Sequence, residues 1–598
     1  MRRHLLLLSV TAIGFTGVGA AVASADSLVT TGSPPAPFSQ NKQNEPGLAI
    51  NPLAPNVVVS GANDEIDLEA CNAGEPDTCP FTEGVGVSGV TFSFNGGSSW
   101  IQPTYQGLTA RDCLGPEECV PHPGPIGTLP GYYERGLSSG GDPALAFGPR
   151  RGADGRFAWS NGARLYYVNL AANLPGSGAF NGVEAIAISR TDDVNAAAAG
   201  SNAAWMAPVL LSKQSSATFS DKEEIAADDA ASSPHFGNVY VCNVAFRGNG
   251  TGGGGEPLMF ARSTDGGTTW SQRQITAATN NTQTGGRQGC MVRTDSRGGV
   301  FVFWVGTDTK TGATVFFEAR SFDGGISFDK PRIVASVVDV GLPDPATGRL
   351  SFDGVAGARS STFPSVDIAN GAPTGAGATD EIVLTGPDGP TPDTSGTPNE
   401  RAIIRYSTDR GATFLSAPSA SPPSDRPMFP AIAISPDGDD VYVTYNAFHA
   451  PWQHDTSAPR LMEDVVRHAT LDAGGAPDGF ADISRTSGGD ARGSSQNNLV
   501  AEFLGDYNTI GATNDGAVAV YNDTRRAADC PAIDAYRDDF VAAVLAGTAQ
   551  PADEDAGEGG GEESDAPAGG TAAPAAPEPQ QDCPAAFGNS DIFGGPFG

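Results

Sequence analysis

An eight-residue pattern, Ser-x-Asp-x-Gly-x-x-aromatic, occurs three times in the 598-residue chain: STDGGTTW (263–270), SFDGGISF (321–328) and STDRGATF (407–414). A fourth copy, SFNGGSSW (93–100), keeps the aromatic and the second glycine and places Asn95 where the others have aspartate. The chemistry is that of a β-hairpin tip. Ser and Asp or Asn accept turn amides, Gly supplies positive φ, and the aromatic packs inward. Asn95, Asp265, Asp323 and Asp409 therefore read as turn staples rather than as acids that do chemistry.

The tips punctuate a longer period. Seven units emerge, each opening with a short apolar strand: 45–52, 142–149, 222–230, 288–296, 363–371, 429–438 and 507–516. A turn and a second strand follow, at 56–64, 155–162, 237–246, 298–308, 380–389, 439–448 and 516–525. Third strands stand at 87–92, 183–189, 257–263, 314–321, 402–407 and 463–469, and the tips or stretched versions of them come next. Short strands, Gly-rich turns and almost no helical periodicity predict an all-β fold, a single β-propeller of four-stranded blades with long insertions; the count is seven, with six left open.

The seventh unit lacks its third strand in sequence order. PAIDAYRDDFVAAVLAG (531–547) has near-helical spacing with proline in the first turn, and predicts a short helix. Residues 546–582 are an acidic Pro/Gly/Ala-rich insertion, too poor in large apolar groups to order, and 583–598 a returning strand and tail. A Cys530–Cys583 bond would clasp this excursion, 587–595 would be the third strand of the last blade, and SLVTT (27–31) its fourth. The propeller then spans 26–545, closed by both chain ends.

The eight-residue tips resemble the Asp-boxes, or BNR repeats, of the sialidase-like β-propellers. That resemblance implies boxes on the face away from the ligand site, and a secreted exo-α-sialidase-like protein. Sialidases grip a substrate carboxylate with three arginines and use a tyrosine, assisted by glutamate, as nucleophile and an aspartate as acid/base. By resemblance Arg287, Arg359 and Arg426, which precede the fourth, fifth and sixth first strands, take the gripping role. Tyr507 takes the nucleophile's, and Asp142 or Glu45 the proton transfer. The family's Phe/Tyr-Arg-Ile-Pro segment has no counterpart; PRIVAS (331–336) has other flanks and follows a box.

A second reading stays open, in which these charged residues pair with one another and neutralise the channel, leaving a propeller that binds glycan or cell-surface ligands without catalysis. Trp452, between His449 and His454, is a candidate for stacking on a sugar. DTRR (523–526) adds positive charge near the same mouth or pairs with Asp506.

MRRH, an apolar run and Ala23-Ser24-Ala25 form a signal peptide over 1–25, which predicts a secreted, extracellular chain with no membrane span. Eight cysteines fit four disulfides better than zinc: Cys71 with Cys79, Cys113 with Cys119, Cys242 with Cys290, and Cys530 with Cys583. A net charge of −34 argues against nucleic-acid partners. No cofactor motif is present. Asp-rich turns such as SPDGDD (435–440) are compatible with calcium but lack the spacing of a calcium loop.

Overall fold

The computed structural model describes residues 26–32, 42–70, 82–114, 119–212, 215–247, 255–277, 287–343, 350–352, 357–389, 400–450, 458–495, 499, 501–549 and 583–598. Seven antiparallel sheets form the blades of a propeller. The innermost strands are Gln43–Ile50, Ala144–Arg151, Thr218–Ala227, Arg287–Thr294, Ser365–Ile368, Arg426–Ile434 and Thr509–Thr513, in blades one to seven. Each pairs with the next strand in sequence, which pairs with a third, so every blade is a meander running outward from the axis.

The second blade departs from the sequence reading. Its second strand does not end at 162 but runs Phe157–Asn173, and the part that builds the blade is Leu165–Ala171, wholly buried. Phe157 and Ala158 instead pair with Arg151 and Arg150 in a hairpin that extends below the blade, separated from it by a register shift after Pro149.

Where the aspartate boxes lie, the structure is the same three times over. Ser263, Ser321 and Ser407 donate to Oδ1 of Asp265, Asp323 and Asp409 at 2.9, 2.7 and 2.8 Å, and accept the amides of Gly267, Gly325 and Gly411, each the second glycine of its box except in the third copy, where Arg410 replaces the first. Asn95 accepts from Ser93 and from the Ser99 amide in the same way. That second glycine touches the preceding blade: a Cβ on Gly325 would stand 2.6 Å from the Phe260 ring. The box aromatics pack across the same seam, Phe328 edge-on to Phe260 at 4.8 Å and Phe414 edge-on to Phe303 at 6.1 Å. The boxes thus stitch the four blades that carry them, one, three, four and five, each to the blade before it.

Closure occurs in blade seven, whose strand order from the axis is Thr509–Thr513, Gly516–Asp523, Asp591–Phe597 and Ser27–Leu28. Ser27 pairs with Gly594 and Leu28 with Phe593. Asp26 anchors this end, accepting from the Tyr521 hydroxyl at 2.9 Å and from Arg525 at 2.6 Å. The predicted helix forms over Pro531–Leu545, with proline in its first turn. It docks through the buried Arg537, which donates to Glu502 at 2.8 Å and to the carbonyls of Leu499, Ser494 and Ala501.

Two of the expected disulfides are present, Cys242–Cys290 and Cys530–Cys583. Cys113 and Cys119 are free thiols, contrary to the expected pairing. Burial beside Leu68, Val85, Val87 and Ala110, and then the neighbouring Cys113 thiol, push the Cys119 thiol up to about 12, so it sits as a neutral apolar group. Cys71, Cys79, Trp452 and most of the acidic insertion lie outside the described residues. Among the described residues no helix is long and apolar enough to cross a membrane, and no group of three or more His, Cys, Asp or Glu is placed to hold a metal ion.

Candidate functional site

The inner strands share a device at their entrance. In blades one, three, four and six two residues oppose one on the neighbouring strand: Asn44 pairs with Asn63 but Gly47 with Gly61, and the same shift recurs at Asp221/Glu224, Gln288/Met291 and Met428/Ala431. The first extra residue of each bulge is left-handed, a conformation suited to glycine. Only blade four uses one, Gly289 at φ 57°. The others place Glu45 (φ 54°), Lys222 (φ 55°) and Phe429 (φ 52°) there, and blade two puts Asp142 (φ 51°) at the corresponding entrance. Each such side chain costs about 1–2 kcal/mol of backbone strain. With Phe363 and Tyr507 at the equivalent positions of blades five and seven, they form a ring of seven residues at one end of the channel.

On one side of this ring the charges interlock. Lys222 Nζ lies 3.0 Å from Asp142 Oδ2, 2.8 Å from Asp506 Oδ2 and 3.6 Å from Asp221 Oδ1. Arg359 reaches over from the approach to blade five and binds Asp506 with two nitrogens at 3.0 and 2.7 Å, its guanidinium 5.2 Å above the Phe503 ring. Ser361 donates to the same carboxylate. Glu45, wholly buried, accepts from the Asn63 amide at 3.0 Å and shares a hydrogen bond with Asp142.

These contacts fix the protonation pattern. Burial, then the charge of Asp142, raises Glu45 well above the carboxylate range, so it is the neutral donor of the pair. Burial opposes ionisation of Asp142, but Lys222 and the bond from Glu45 outweigh it. For Asp506 the cost of burial is likewise overcome by Arg359 and Lys222. Lys222 is held well above its usual range, because Asp142, Asp221 and Asp506 together exceed the effect of burial. Tyr507 is pushed up by burial and then by the negative Asp142 beside it, and stays a phenol.

Of the residues picked out in the sequence, the structure brings together Glu45, Asp142, Tyr507 and Arg359. It does not bring the other two arginines to them. The Arg287 backbone amide donates to Glu256 at 3.1 Å, and the Arg287 guanidinium feels the same acid. Arg426 lies 3.4 Å from Glu400 and donates to the His449 carbonyl at 3.0 Å. Arg525 of the DTRR segment binds Asp26 and Asp523, not Asp506. SPDGDD forms a hairpin turn in which the Ser435 hydroxyl donates to Asp437 and accepts the amides of Asp439 and Asp440. The central residue of the cluster, Lys222, was missed. Aligning the seven strand entrances on Glu45, Asp142, Lys222, Gly289, Phe363, Phe429 and Tyr507, four of them followed by proline, is the signal that exposes it.

Below the ring runs a channel of 490 Å³ walled by all seven inner strands. A neutral carboxylic acid hydrogen-bonded to a carboxylate, beside a phenol, donates and accepts hydrogen bonds but differs from a two-carboxylate glycosidase. There the groups stand about 5–9.5 Å apart to admit the sugar or a water; here they touch.

No family model matches the sequence, and no curated protein matches it. Solved structures similar to this one include a Hadza microbial sialidase, at 13% identity over 68% of this chain and 63% of that one, with a TM-score of 0.34. Another is an α-L-arabinofuranosidase from Fusarium graminearum in complex with an iminosugar inhibitor, at 11% identity over 63% and 88%, TM-score 0.33. A third is the Trypanosoma rangeli sialidase in complex with the inhibitor DANA, at 10% identity over 75% and 60%, TM-score 0.35. The chain spans less than two thirds of the length of each of these two sialidases.

Proposed function

We propose that this chain is a secreted propeller that binds neutral glycan units at the Tyr507 ring without hydrolysing them. The observation that carries the reading is the commitment of both ring cations: Lys222 holds Asp142 and Asp506, and Arg359 holds Asp506 in a bidentate pair. A substrate carboxylate would have to displace a buried protein carboxylate to reach either, whereas sugar hydroxyls need only the remaining lone pairs and the Tyr507 phenol. The raised Tyr507 hydroxyl is the opposite of an activated nucleophile.

The test is a pair of measurements on the secreted protein. Neutral glycans are expected to bind on an array, sialylated ones no better than their desialylated counterparts, with Tyr507→Phe weakening retention about tenfold. No fluorophore should be released from a fluorogenic α-sialoside. Release abolished by Tyr507→Phe would replace this reading with that of a sialidase using a divergent arginine site.

A further inference from the structure

The channel has a polarity that its ring does not share. Among the lining residues the exposed ones are Pro55, Asn514 and Asp515, all at the end where first strands turn into second strands, on the box face. At the other end the lining residues Lys222, Ser361, Phe429 and Asp506 are buried, and Phe363 and Tyr507 are only partly exposed. Among the described residues, then, the channel opens toward the boxes and ends against the ring.

Midway along it, three blades contribute one ionic belt. Arg293 of blade four donates to Glu224 of blade three at 3.0 Å, and its Nε lies 3.8 Å from Asp367 of blade five. Their side chains keep 24%, 20% and 28% of their surface in contact with solvent, although all three sit on innermost strands, so the surface they show is to the lumen. Asp229 and Asp515 also line the wall below the ring. Four carboxyl groups there face the single cation Arg293 among the described residues. Asp229 accepts from Asn370 at 2.8 Å, and Asp367 Oδ2 from the Ile434 amide at 3.0 Å, which leaves lone pairs on both acids. Burial raises Glu224, Asp229 and Asp367 above the ordinary carboxylate range, Asp229 to about 7, so the wall offers acids whose ionisation a bound cation favours.

We infer that the channel is a second binding site, entered from the box face, for a ligand of disaccharide size bearing a primary ammonium, which the Glu224–Arg293–Asp367 belt receives through its surplus carboxylate. Apolar wall residues such as Ile50, Ala146 and Met291 suit the body of the ligand, and the volume falls within the usual range for small-molecule sites. The ring's commitment to neutral sugars plays no part in this inference.

Isothermal titration of the full-length protein with the glucosamine disaccharide and with its di-N-acetyl counterpart tests it, since the two share a shape and differ in charge. The free amine is expected to bind at least tenfold more tightly. Asp367→Asn and Glu224→Gln should each remove most of that preference, with circular dichroism confirming that they fold, while Asp478→Asn, on the outer strand of blade six, should change nothing. Asn514→Trp at the open end should slow association several-fold. Equal binding of the two disaccharides, binding of neither, or a preference that survives in a folded Asp367→Asn would overturn the inference.

Discussion

At the scale of single residues, Lys222 is the hub of the ring. It occupies a left-handed position where glycine would be unstrained, and its ammonium is shared among Asp142, Asp221 and Asp506. Replacing it with methionine keeps the length of the side chain but takes the shared ammonium away from three carboxylates, of which Asp506 keeps its pair with Arg359. Lys222→Met is expected to lower the free energy of unfolding by about 3–5 kcal/mol, the usual loss when one partner of a buried pair is removed. Urea denaturation measures this, and a loss under about 1 kcal/mol would mean the carboxylates find other partners. Glu45, Asp142 and Tyr507 were legible in the sequence because they are polar residues at repeat entrances. Lys222 was not, because in DKEE it reads as one charge within a charged run. Arg287 and Arg426 misled for a related reason. Read as standing ahead of a first strand, each is that strand's first residue, and each meets an acid, Glu256 or Glu400, that nothing in strand spacing reveals.

Elements were more legible than contacts. The boxes could be read because a hairpin tip is held by its own residues, over four positions. The ends of blade seven were legible because cysteine, proline and a hydrophobic run each carry a strong local signal. The long second strand of blade two was missed because Gly162 reads as a turn, whereas it lies inside the strand at φ 96°. The Cys530–Cys583 bond closes a segment with a sequence separation of 53 and fastens the start of the Pro531–Leu545 helix to the segment that returns to the sheet. Chain entropy alone assigns such a loop about 4 kcal/mol. The double variant Cys530→Ser/Cys583→Ser is expected to lose up to that amount in chemical denaturation. It should also become sensitive to limited proteolysis between the helix and residue 583 before the rest of the ring. Uniform cleavage across all blades would contradict the view that the clasp acts locally.

Across the described residues, burial holds a set of carboxyls above the ordinary carboxylate range. Burial raises Asp64, Glu318 and Asp591 to about 7 and Asp228 and Glu381 to about 8. Each keeps in the folded state a proton that the unfolded chain releases above about pH 4, so stability falls as pH rises from there through 7–8. The boxes act in the opposite sense. Despite the cost of burial, turn hydrogen bonds hold Asp265, Asp323 and Asp409 below the ordinary range, and that contribution is lost as pH drops below about 4. The melting temperature is therefore expected to be highest near pH 5 and several degrees lower at pH 8.5; scanning fluorimetry across that range checks it, and a rise toward pH 8.5 would contradict it. Blade number and closure could be read from the repeat. The lumen could not, since Glu224, Arg293 and Asp367 stand some seventy residues apart and meet only because the ring is round. The pairing of Ser27 with Gly594 has one more consequence, in time rather than space. Synthesised at about 5–20 residues per second, the first strand waits on the order of one minute for the last to appear. Until then the ring is an open arc, and the two-residue strand left waiting is too short to recruit a stranger.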